Sequence, residues 1–346
     1  MRALVKYATG PDTVELRDVP APTVGPGQIL IDVAAVAICG TDRSAIEGGH
    51  DIGRVPRTLG HEVSGVVAEI GPDADTDLQV GDRVTTETDA YLCHRCEYCR
   101  KEEYQRCINR RGIGTTADGG LADQLVMPAL AVHRLPDNVT LAEGALTEPL
   151  AVSVHAVVEQ SPSLAGQVVV VIGPGAIGQL CAQVARAVGA TVVLVGRSRH
   201  TDQFERARRA GIPHTVDSET TDVADYVKNL TGGYGAHSVY ECSGAPGVLE
   251  GVPPMLRKGG RIVLLAFFKT PPAVDVDKLL NWEFELVGAR GKKASSYRTA
   301  LALMEQGMVD LDAVIGAKLP LDDWEKGIEL VGRGVKVVLE VRPESS

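Results

Sequence analysis

The pattern of hydrophobic and polar positions changes its period near residue 165. Before that point, short runs in which apolar residues alternate with polar ones, such as 29–37 and 62–70, are separated by proline- and glycine-rich turns at 20–27 and 71–75. A period of two indicates half-buried strands. The first 150 residues are therefore predicted to be all-β, with irregular loops.

After residue 165, short apolar strands alternate with segments of helical period. Such alternation indicates βαβ units and a parallel sheet covered by helices. Strands are expected at 167–172, 191–195, 238–243, 261–266 and 285–288, with helices at 177–188, 202–210 and 248–256. The C-terminal residues are predicted to add helices at 296–307 and 322–331 and a strand at 335–341.

Composition and charge narrow the class of protein. The 346 residues are 44% hydrophobic and 23% charged, which is ordinary for a globular chain of about two domains. The 45 acidic residues outnumber the 35 basic ones, so nucleic acid and anionic membranes are poor partners. No apolar run approaches the roughly 20 residues of a membrane helix, and the N-terminus has no signal segment. A cytoplasmic location is therefore expected.

Four of the seven cysteines lie close together in a polar stretch that has no hydrophobic period, at Cys93, Cys96, Cys99 and Cys107. An odd number of cysteines and the lack of a signal segment argue against disulfide bonds. Because this stretch has little apolar surface to bury, a structural zinc ion held by the four thiolates is predicted to fold it. An iron–sulfur cluster or a set of reduced thiols are the alternatives.

A glycine-rich turn follows the strand predicted at 167–172 and begins the next helix, with the sequence Gly173-Pro174-Gly175-Ala176-Ile177-Gly178. In such a turn the first glycine permits the tight bend, the second lets a pyrophosphate approach the backbone, and the third lets the helix pack on the strand. The phosphates then lie at the positive end of the helix. These residues are therefore predicted to bind a dinucleotide.

The end of the second strand of this region decides between NAD and NADP. An acidic residue there binds the 2′-hydroxyl of NAD and repels the 2′-phosphate of NADP. This chain instead has Gly196-Arg197-Ser198-Arg199, and arginine suits a phosphate group. The turn favours NADP modestly over NAD, unless the two arginines only form a solvated turn.

Three short segments carry the residue types of a catalytic metal site, namely Cys39-Gly40-Thr41-Asp42, Gly60-His61-Glu62 and Thr147-Glu148-Pro149-Leu150. A thiolate, an imidazole and one or two carboxylates can bind zinc and leave a coordination position for a substrate. Taken singly, each residue has an ordinary structural explanation, such as a buried cysteine, a core histidine or a surface glutamate. Only the joint pattern indicates a site.

This joint pattern resembles the zinc-containing medium-chain dehydrogenase/reductase family over nearly the whole chain. Glutamate rather than cysteine before Pro149 looks like the polyol (sorbitol/iditol) dehydrogenase branch of that family. The further motifs that carry the resemblance are the four-cysteine segment, Gly65, Gly81-Asp82-Arg83-Val84, Asp118-Gly119-Gly120 and the turn at 173–178.

The resemblance implies an α/β architecture with two domains. A mostly-β, GroES-like catalytic domain would comprise residues 1–152, including a structural zinc lobe at 91–108, and residues 290–346 would return to it. Residues 153–289 would form a Rossmann nucleotide-binding domain with a doubly wound parallel sheet.

The resemblance also implies the ligands of a catalytic zinc ion. Cys39 and His61 would bind the ion, while Glu62 and Glu148 would share the carboxylate duties, as a ligand or as the partner of a zinc-bound water. Together with the four clustered cysteines, these residues lead to an expectation of two zinc ions per chain.

Residues around the catalytic zinc have further implied roles. Thr41 would take the proton of the substrate hydroxyl, Asp42 would orient the zinc-binding histidine, and Lys336 would meet the pyrophosphate. Many family members place a histidine five residues after the zinc cysteine to pass the proton to solvent, whereas this chain has Ser44. Proton release must then use water or another group, and the nearby His50 has no role that the sequence assigns.

The implied activity is hydride transfer between a secondary alcohol, polyol or sugar and a nicotinamide cofactor. An NADP-preferring aldose dehydrogenase of the glucose type, a threonine dehydrogenase and a non-catalytic nucleotide-binding relative are the alternatives. A homodimer or homotetramer is expected, with the substrate pocket in the loops at 47–57 and 289–296.

Overall fold

The computed structural model describes residues 1–49 and 52–342, which form two compact units. The first unit comprises residues 1–149, 292–305 and the chain from Ile315 onward, and the second comprises 150–291 and 306–314. His50 lies outside the described residues.

The strands are β1 Arg2–Lys6, β2 Val14–Asp18, β3 Gln28–Ile38, β4 Arg57–Thr58, β5 Glu62–Ile70, β6 Arg83–Thr86, β7 Asp89–Tyr91, β8 Arg111–Gly112, β9 Gln124–Pro128, β10 Val132–Arg134, β11 Val168–Ile172, β12 Thr191–Gly196, β13 His214–Asp217, β14 Ala236–Glu241, β15 Leu256–Leu264, β16 Glu285–Gly288, β17 Ile315–Pro320 and β18 Lys336–Glu340. The helices are α1 Gly40–Ile46, α2 Glu97–Arg100, α3 Leu141–Gly144, α4 Thr147–Val154, α5 Ala176–Ala187, α6 Thr201–Arg209, α7 Val223–Leu230, α8 Val276–Trp282, α9 Ala294–Glu305 and α10 Trp324–Gly332. Within 1–49 and 52–342, no helix is both long and apolar enough to cross a membrane.

The main sheet of the first unit is built around β3. Its strand order is β10-β6-β5-β3-β18-β17, and β9 also pairs with β3. The strand β3 is antiparallel to β5 and to β18, so a segment near the C-terminus completes the sheet that the N-terminal residues begin. Fully buried apolar side chains pack against this sheet, among them Ile29, Ile31, Val63 and Leu339.

The second unit contains a six-stranded parallel sheet in the order β13-β12-β11-β14-β15-β16. This order corresponds to the 3-2-1-4-5-6 arrangement of a doubly wound nucleotide-binding fold. The strands β11 and β12 are almost wholly apolar because a parallel sheet is covered on both faces. Val170, Val193 and, on β14, Val239 are completely buried. The predicted α/β class with a Rossmann sheet is confirmed.

The residues at 306–314 pack with the second unit, although the sequence assigned all of 290–346 to the catalytic domain. Two side chains of α5 explain this packing. Gln183 donates a hydrogen bond to the main-chain oxygen of Asp310 at 3.0 Å, and Arg186 donates one to that of Met308 at 2.9 Å.

The prediction that the first 150 residues are all-β is wrong at α1, at α2, at α3 and at the start of α4. These helices are too short to show a clear helical period, and in α1, α2 and α3 a capping interaction holds the first turn. In α3, the Thr140 N–H donates to Glu143 Oε2 at 2.9 Å, and the Glu143 N–H donates to Thr140 Oγ1 at 3.2 Å.

The helix predicted at 248–256 is also wrong. Two short 3-10 turns, Val248–Gly251 and Pro253–Met255, occupy that stretch, and β15 already begins at Leu256. Two consecutive prolines, Pro253 and Pro254, cannot donate the backbone hydrogen bonds that a continuous helix requires.

Candidate functional site

Cys39 lies between the end of β3 and the start of α1. Its N–H donates to Asp42 Oδ2 at 3.0 Å, and the N–H of Gly60 donates to Asp42 Oδ1 at 3.2 Å. The Asp42 side chain is only 2% exposed, so both hydrogen bonds are shielded from water. Asp42 therefore joins the segment that carries Cys39 to the segment that carries His61.

The same carboxylate lies beside the His61 ring, with 3.3 Å between Asp42 Oδ1 and His61 Nδ1. Burial alone would raise the pKa of Asp42, but His61 and the two N–H donors bring that pKa below its ordinary value. Burial alone would lower the pKa of His61, but Asp42 raises it well above the usual value. A ring placed with Nδ1 against a carboxylate keeps Nε2 for a metal ion.

Cys39, His61 and Glu62 together form a set of possible metal ligands. Their ligating atoms all lie within 4.8 Å of one another. A thiolate, an imidazole and a carboxylate suit zinc and leave a fourth coordination position open, so the residues present fit a catalytic zinc ion. The Thr41 hydroxyl lies 3.6 Å from Cys39 Sγ, which places a proton acceptor next to this set.

Glu62 is held by a buried lysine. The Lys336 Nζ donates to Glu62 Oε2 and, at 3.2 Å, to the main-chain oxygen of Ile38. Burial raises the pKa of Glu62, and Lys336 offsets only part of that rise. Burial lowers the pKa of Lys336, but Glu62 more than compensates and the pKa ends above its ordinary value. The contact of Lys336 with a pyrophosphate stays a prediction.

Glu148 lies in the first turn of α4 and is paired with a different lysine, because Lys292 Nζ donates to Glu148 Oε1. Burial would raise the pKa of Glu148, but Lys292 and, more weakly, His61 bring that pKa below its ordinary value. Glu148 is not part of the three-ligand set, and its role toward zinc stays a prediction. Sequence reasoning missed Lys292 because no recognisable motif surrounds it.

The four clustered cysteines come together around α2. The Sγ atoms of Cys93 and Cys99 are 3.9 Å apart, and those of Cys93 and Cys107 are 3.6 Å apart. A tetrahedral zinc ion with bonds of about 2.3 Å places its sulfur ligands about 3.8 Å apart, so the four thiols fit such an ion. Backbone N–H groups of Arg95 and Cys96 lower the pKa of Cys93 to about 6, which favours the thiolate.

The glycine-rich turn joins β11 to α5, as predicted. Gly173 has a φ of +100°, and a Cβ on Gly178 would lie 1.8 Å from the oxygen of Gly173. Nothing lies within 4 Å of a Cβ at Gly175, which precedes the first helical residues, Ala176 and Ile177. The backbone at the N-terminus of α5 is therefore open to a phosphate group.

The turn after β12 carries charges of both signs. The side chains of Arg197 and Arg199 are exposed. The Ser198 hydroxyl donates to Asp217 Oδ2 at 2.6 Å, and its N–H donates to Glu219 Oε2 at 3.0 Å. Sequence reasoning missed these two acids because it did not predict the strand β13, at whose end they lie.

Two family descriptions match this chain. "Alcohol dehydrogenase GroES-like domain" matches residues 25–137, and "Zinc-binding dehydrogenase" matches residues 176–306. The first match lies within the first unit, and the second begins at the first residue of α5.

Whole-length relatives agree with these matches. D-arabitol-phosphate dehydrogenase from Enterococcus avium is 33% identical, over 99% of this chain and 98% of its own length. Sorbitol dehydrogenase from Halalkalibacterium halodurans is 36% identical, over 98% of this chain and 99% of its own. A protein from Sinorhizobium meliloti 1021, described as a zinc-binding dehydrogenase and solved bound to NADP, is 30% identical and superposes with a TM-score of 0.86, over 98% of each chain. The chain therefore belongs to the zinc-containing medium-chain dehydrogenase/reductase family, as a zinc-dependent oxidoreductase that transfers hydride between an alcohol and a nicotinamide cofactor.

Proposed function

We propose that the enzyme oxidises a secondary hydroxyl of a polyol, with a modest preference for NADP and with two zinc ions per chain. The observation that carries this proposal is the set of three possible metal ligands, Cys39, His61 and Glu62. The residue before Pro149 is Glu148 rather than a cysteine, which is the feature that resembles the polyol dehydrogenase branch. The names of two relatives, a sorbitol and an arabitol-phosphate dehydrogenase, support a polyol as the substrate class.

A zinc ion held by Cys39, His61 and Glu62 would supply the Lewis acidity that lowers the pKa of an alcohol, and a bound nicotinamide would supply the hydride acceptor. The chain positions these groups and handles the proton. Thr41 Oγ1 accepts the proton of the substrate hydroxyl in oxidation while its own hydroxyl proton passes to water, and both transfers reverse in reduction. Asp42 orients the His61 ring, while Lys336 and Lys292 each hold one of the two buried carboxylates.

A preference for NADP is supported by the turn after β12. Gly196 offers no carboxylate to the ribose, while Arg197 and Arg199 are exposed on the same turn. Because Asp217 and Glu219 bring negative charge to Ser198, we propose a modest preference rather than an exclusive one. The NADP-bound relative is consistent with this proposal.

We also propose that the enzyme is a homodimer or homotetramer assembled through β16. This strand is at the edge of the parallel sheet, Leu286 on it is 42% exposed, and the preceding α8 exposes Val276 and Leu280. An exposed apolar edge favours pairing with another strand, and a second copy of this chain offers the same edge. A monomeric mass in light scattering at micromolar concentration would contradict this assembly.

The test of the activity is a panel of substrates assayed with NAD and with NADP through the absorbance of the reduced cofactor. We expect polyols to be oxidised with higher kcat/KM than simple alcohols, because several hydroxyls can bind the polar site. Glucose or threonine as the best substrate would favour one of the alternative dehydrogenases. Absence of turnover with every alcohol would indicate a non-catalytic relative.

The number of zinc ions can be checked with two cysteine variants. We expect two zinc ions per native chain by elemental analysis. Cys39→Ser should lose one ion and nearly all turnover while the thermal unfolding curve keeps its midpoint. Cys99→Ser should lose the other ion and lower Tm by about 5 °C or more, since structural zinc contributes to folding. Full turnover by the Cys39 variant would exclude the catalytic zinc site.

The proton role of Thr41 predicts different results for two substitutions. Thr41→Ala should reduce kcat at least about 100-fold, the lower range for acid–base assistance, while Thr41→Ser should keep most of it. Steady-state kinetics over a range of pH would measure both. Equal rates for the alanine and serine variants would remove Thr41 from the proton path.

The arginines after β12 can be tested by single substitutions. Arg197→Ala or Arg199→Ala should raise KM for NADP about tenfold at low ionic strength, because each removes a charge-assisted hydrogen bond to the 2′-phosphate. The effect is no larger because solvent weakens an exposed contact of this kind. KM for NAD should change little, since NAD has no 2′-phosphate. A native enzyme with a lower KM for NAD would contradict the preference. An aspartate at position 196 is not a suitable test, since a Cβ there would lie 2.8 Å from Phe204 Cζ.

A further inference from the structure

An open cavity of about 640 Å³ lies in the first unit, outside the three-ligand set. Three arginines, Arg54, Arg57 and Arg111, and one acid, Asp118, contribute to its lining. The volume is in the range of small-molecule sites. These side chains leave a surplus of two positive charges in a chain whose net charge is −10. The cavity is therefore suited to an anion.

The guanidinium groups keep donors available for that anion. Arg57 Nη1 donates to Asp118 Oδ1 at 3.2 Å, but Arg57 Nε is buried and has no hydrogen-bond partner in the described part of the chain. A buried donor without a partner costs free energy, and a small shift of the Arg57 side chain toward the cavity would let an anion satisfy it. Arg111 lies over the Tyr91 ring, 5.8 Å from its centroid. Within residues 1–49 and 52–342, Arg54 forms no ion pair.

The cavity is close to the proposed reaction centre along the chain. Arg57 precedes His61 by four residues, and an extended chain spans at most about 3.6 Å per residue, so their Cα atoms are within about 14 Å. The segment is fixed in place, because Asp118 Oδ1 accepts the N–H of Thr58 at 3.0 Å and the N–H of Gly60 donates to Asp42. This upper bound allows a polyol with one hydroxyl at the proposed metal ligands to place its far end near the arginines.

We propose that this cavity binds the terminal phosphate of a phosphorylated polyol, so that the substrate is a polyol phosphate rather than a free polyol. The inference rests on the proposed polyol dehydrogenase function and defines its substrate class. A phosphate monoester carries a charge of about −1.5 to −2 at pH 7, which matches the two excess positive charges of the cavity side chains. The carboxylate of a sugar acid carries only a single negative charge. Arginine also binds phosphate through two parallel hydrogen bonds.

The test compares D-arabitol 5-phosphate and sorbitol 6-phosphate with D-arabitol, sorbitol and D-arabinonate, using the zinc-loaded enzyme at low ionic strength. We expect kcat/KM to be at least about tenfold higher for the phosphates, mainly through KM, and the advantage to shrink as salt is added. The measured quantity is the ratio of kcat/KM for a phosphorylated polyol to that for the free polyol.

Arg54→Gln and Arg111→Gln should each lower this ratio about tenfold, because each removes a charge-assisted contact with the phosphate. Both side chains are exposed, so these variants are expected to fold; the partly buried Arg57 is left intact. Arg17→Gln is the matched control. It removes the same charge from an exposed position on β2, and the ratio should not change.

The inference would be overturned if the native enzyme had nearly equal kcat/KM for the phosphorylated and the free polyol, or if both cavity variants kept the native ratio of these values. The polyol dehydrogenase function would stand in either case. Faster oxidation of D-arabinonate than of the phosphates would also overturn the inference. If no polyol is oxidised, the proposed function fails, and calorimetry with D-arabitol 5-phosphate still decides the site. If the native protein binds this phosphate and a variant that combines Arg54→Gln with Arg111→Gln does not, the cavity is supported. Equal binding by both proteins, or by neither, overturns the inference.

Discussion

The buried carboxylate of Asp42 is the contact on which the geometry of the metal ligands depends. It accepts N–H groups from Cys39 and Gly60, and it lies beside His61. Two proposed metal ligands that are 22 residues apart in sequence, Cys39 and His61, are therefore positioned by a single side chain. A carboxylate at 2% exposure is stable as an anion only because these partners surround it. Loss of the side chain would free the two ligand segments at once.

Around this centre, charge is buried in pairs. Lys336 neutralises Glu62 and Lys292 neutralises Glu148, so neither carboxylate is left uncompensated in a region of low dielectric constant. Such pairs rarely add stability over apolar packing, but removal of one partner costs about 3–5 kcal/mol. Each lysine lowers the pKa of its partner acid, which favours the deprotonated form that a metal ligand must have. These buried ion pairs therefore contribute more to the chemistry of the proposed metal site than to the stability of the fold.

Much of the fold and of the ligand set could be predicted because the relevant signals are local. The alternation after residue 165 and the turn at 173–178 each lie within one short segment, and they correspond to β11 and α5. The lysine partners of Glu148 and Glu62 could not be predicted, because these pairs form only through tertiary contacts. Lys292 is 144 residues from Glu148, and Lys336 is 274 residues from Glu62. Likewise, Asp217 becomes a neighbour of Ser198 only when β13 pairs with β12. The helices missed in the first 150 residues are too short to show a helical period, and three of them begin with a capping interaction.

The position of β18 has a consequence for the order in which the chain becomes functional during synthesis. Lys336 is the first residue of that strand, and it holds both Glu62 and the end of β3. The residues that would bind the catalytic metal are made early, but the lysine that neutralises Glu62 is made 274 residues later. The second unit, with its core built from residues between 150 and 314, has no such requirement. During translation, the nucleotide-binding sheet can therefore form before β18 pairs with β3 and brings Lys336 to Glu62.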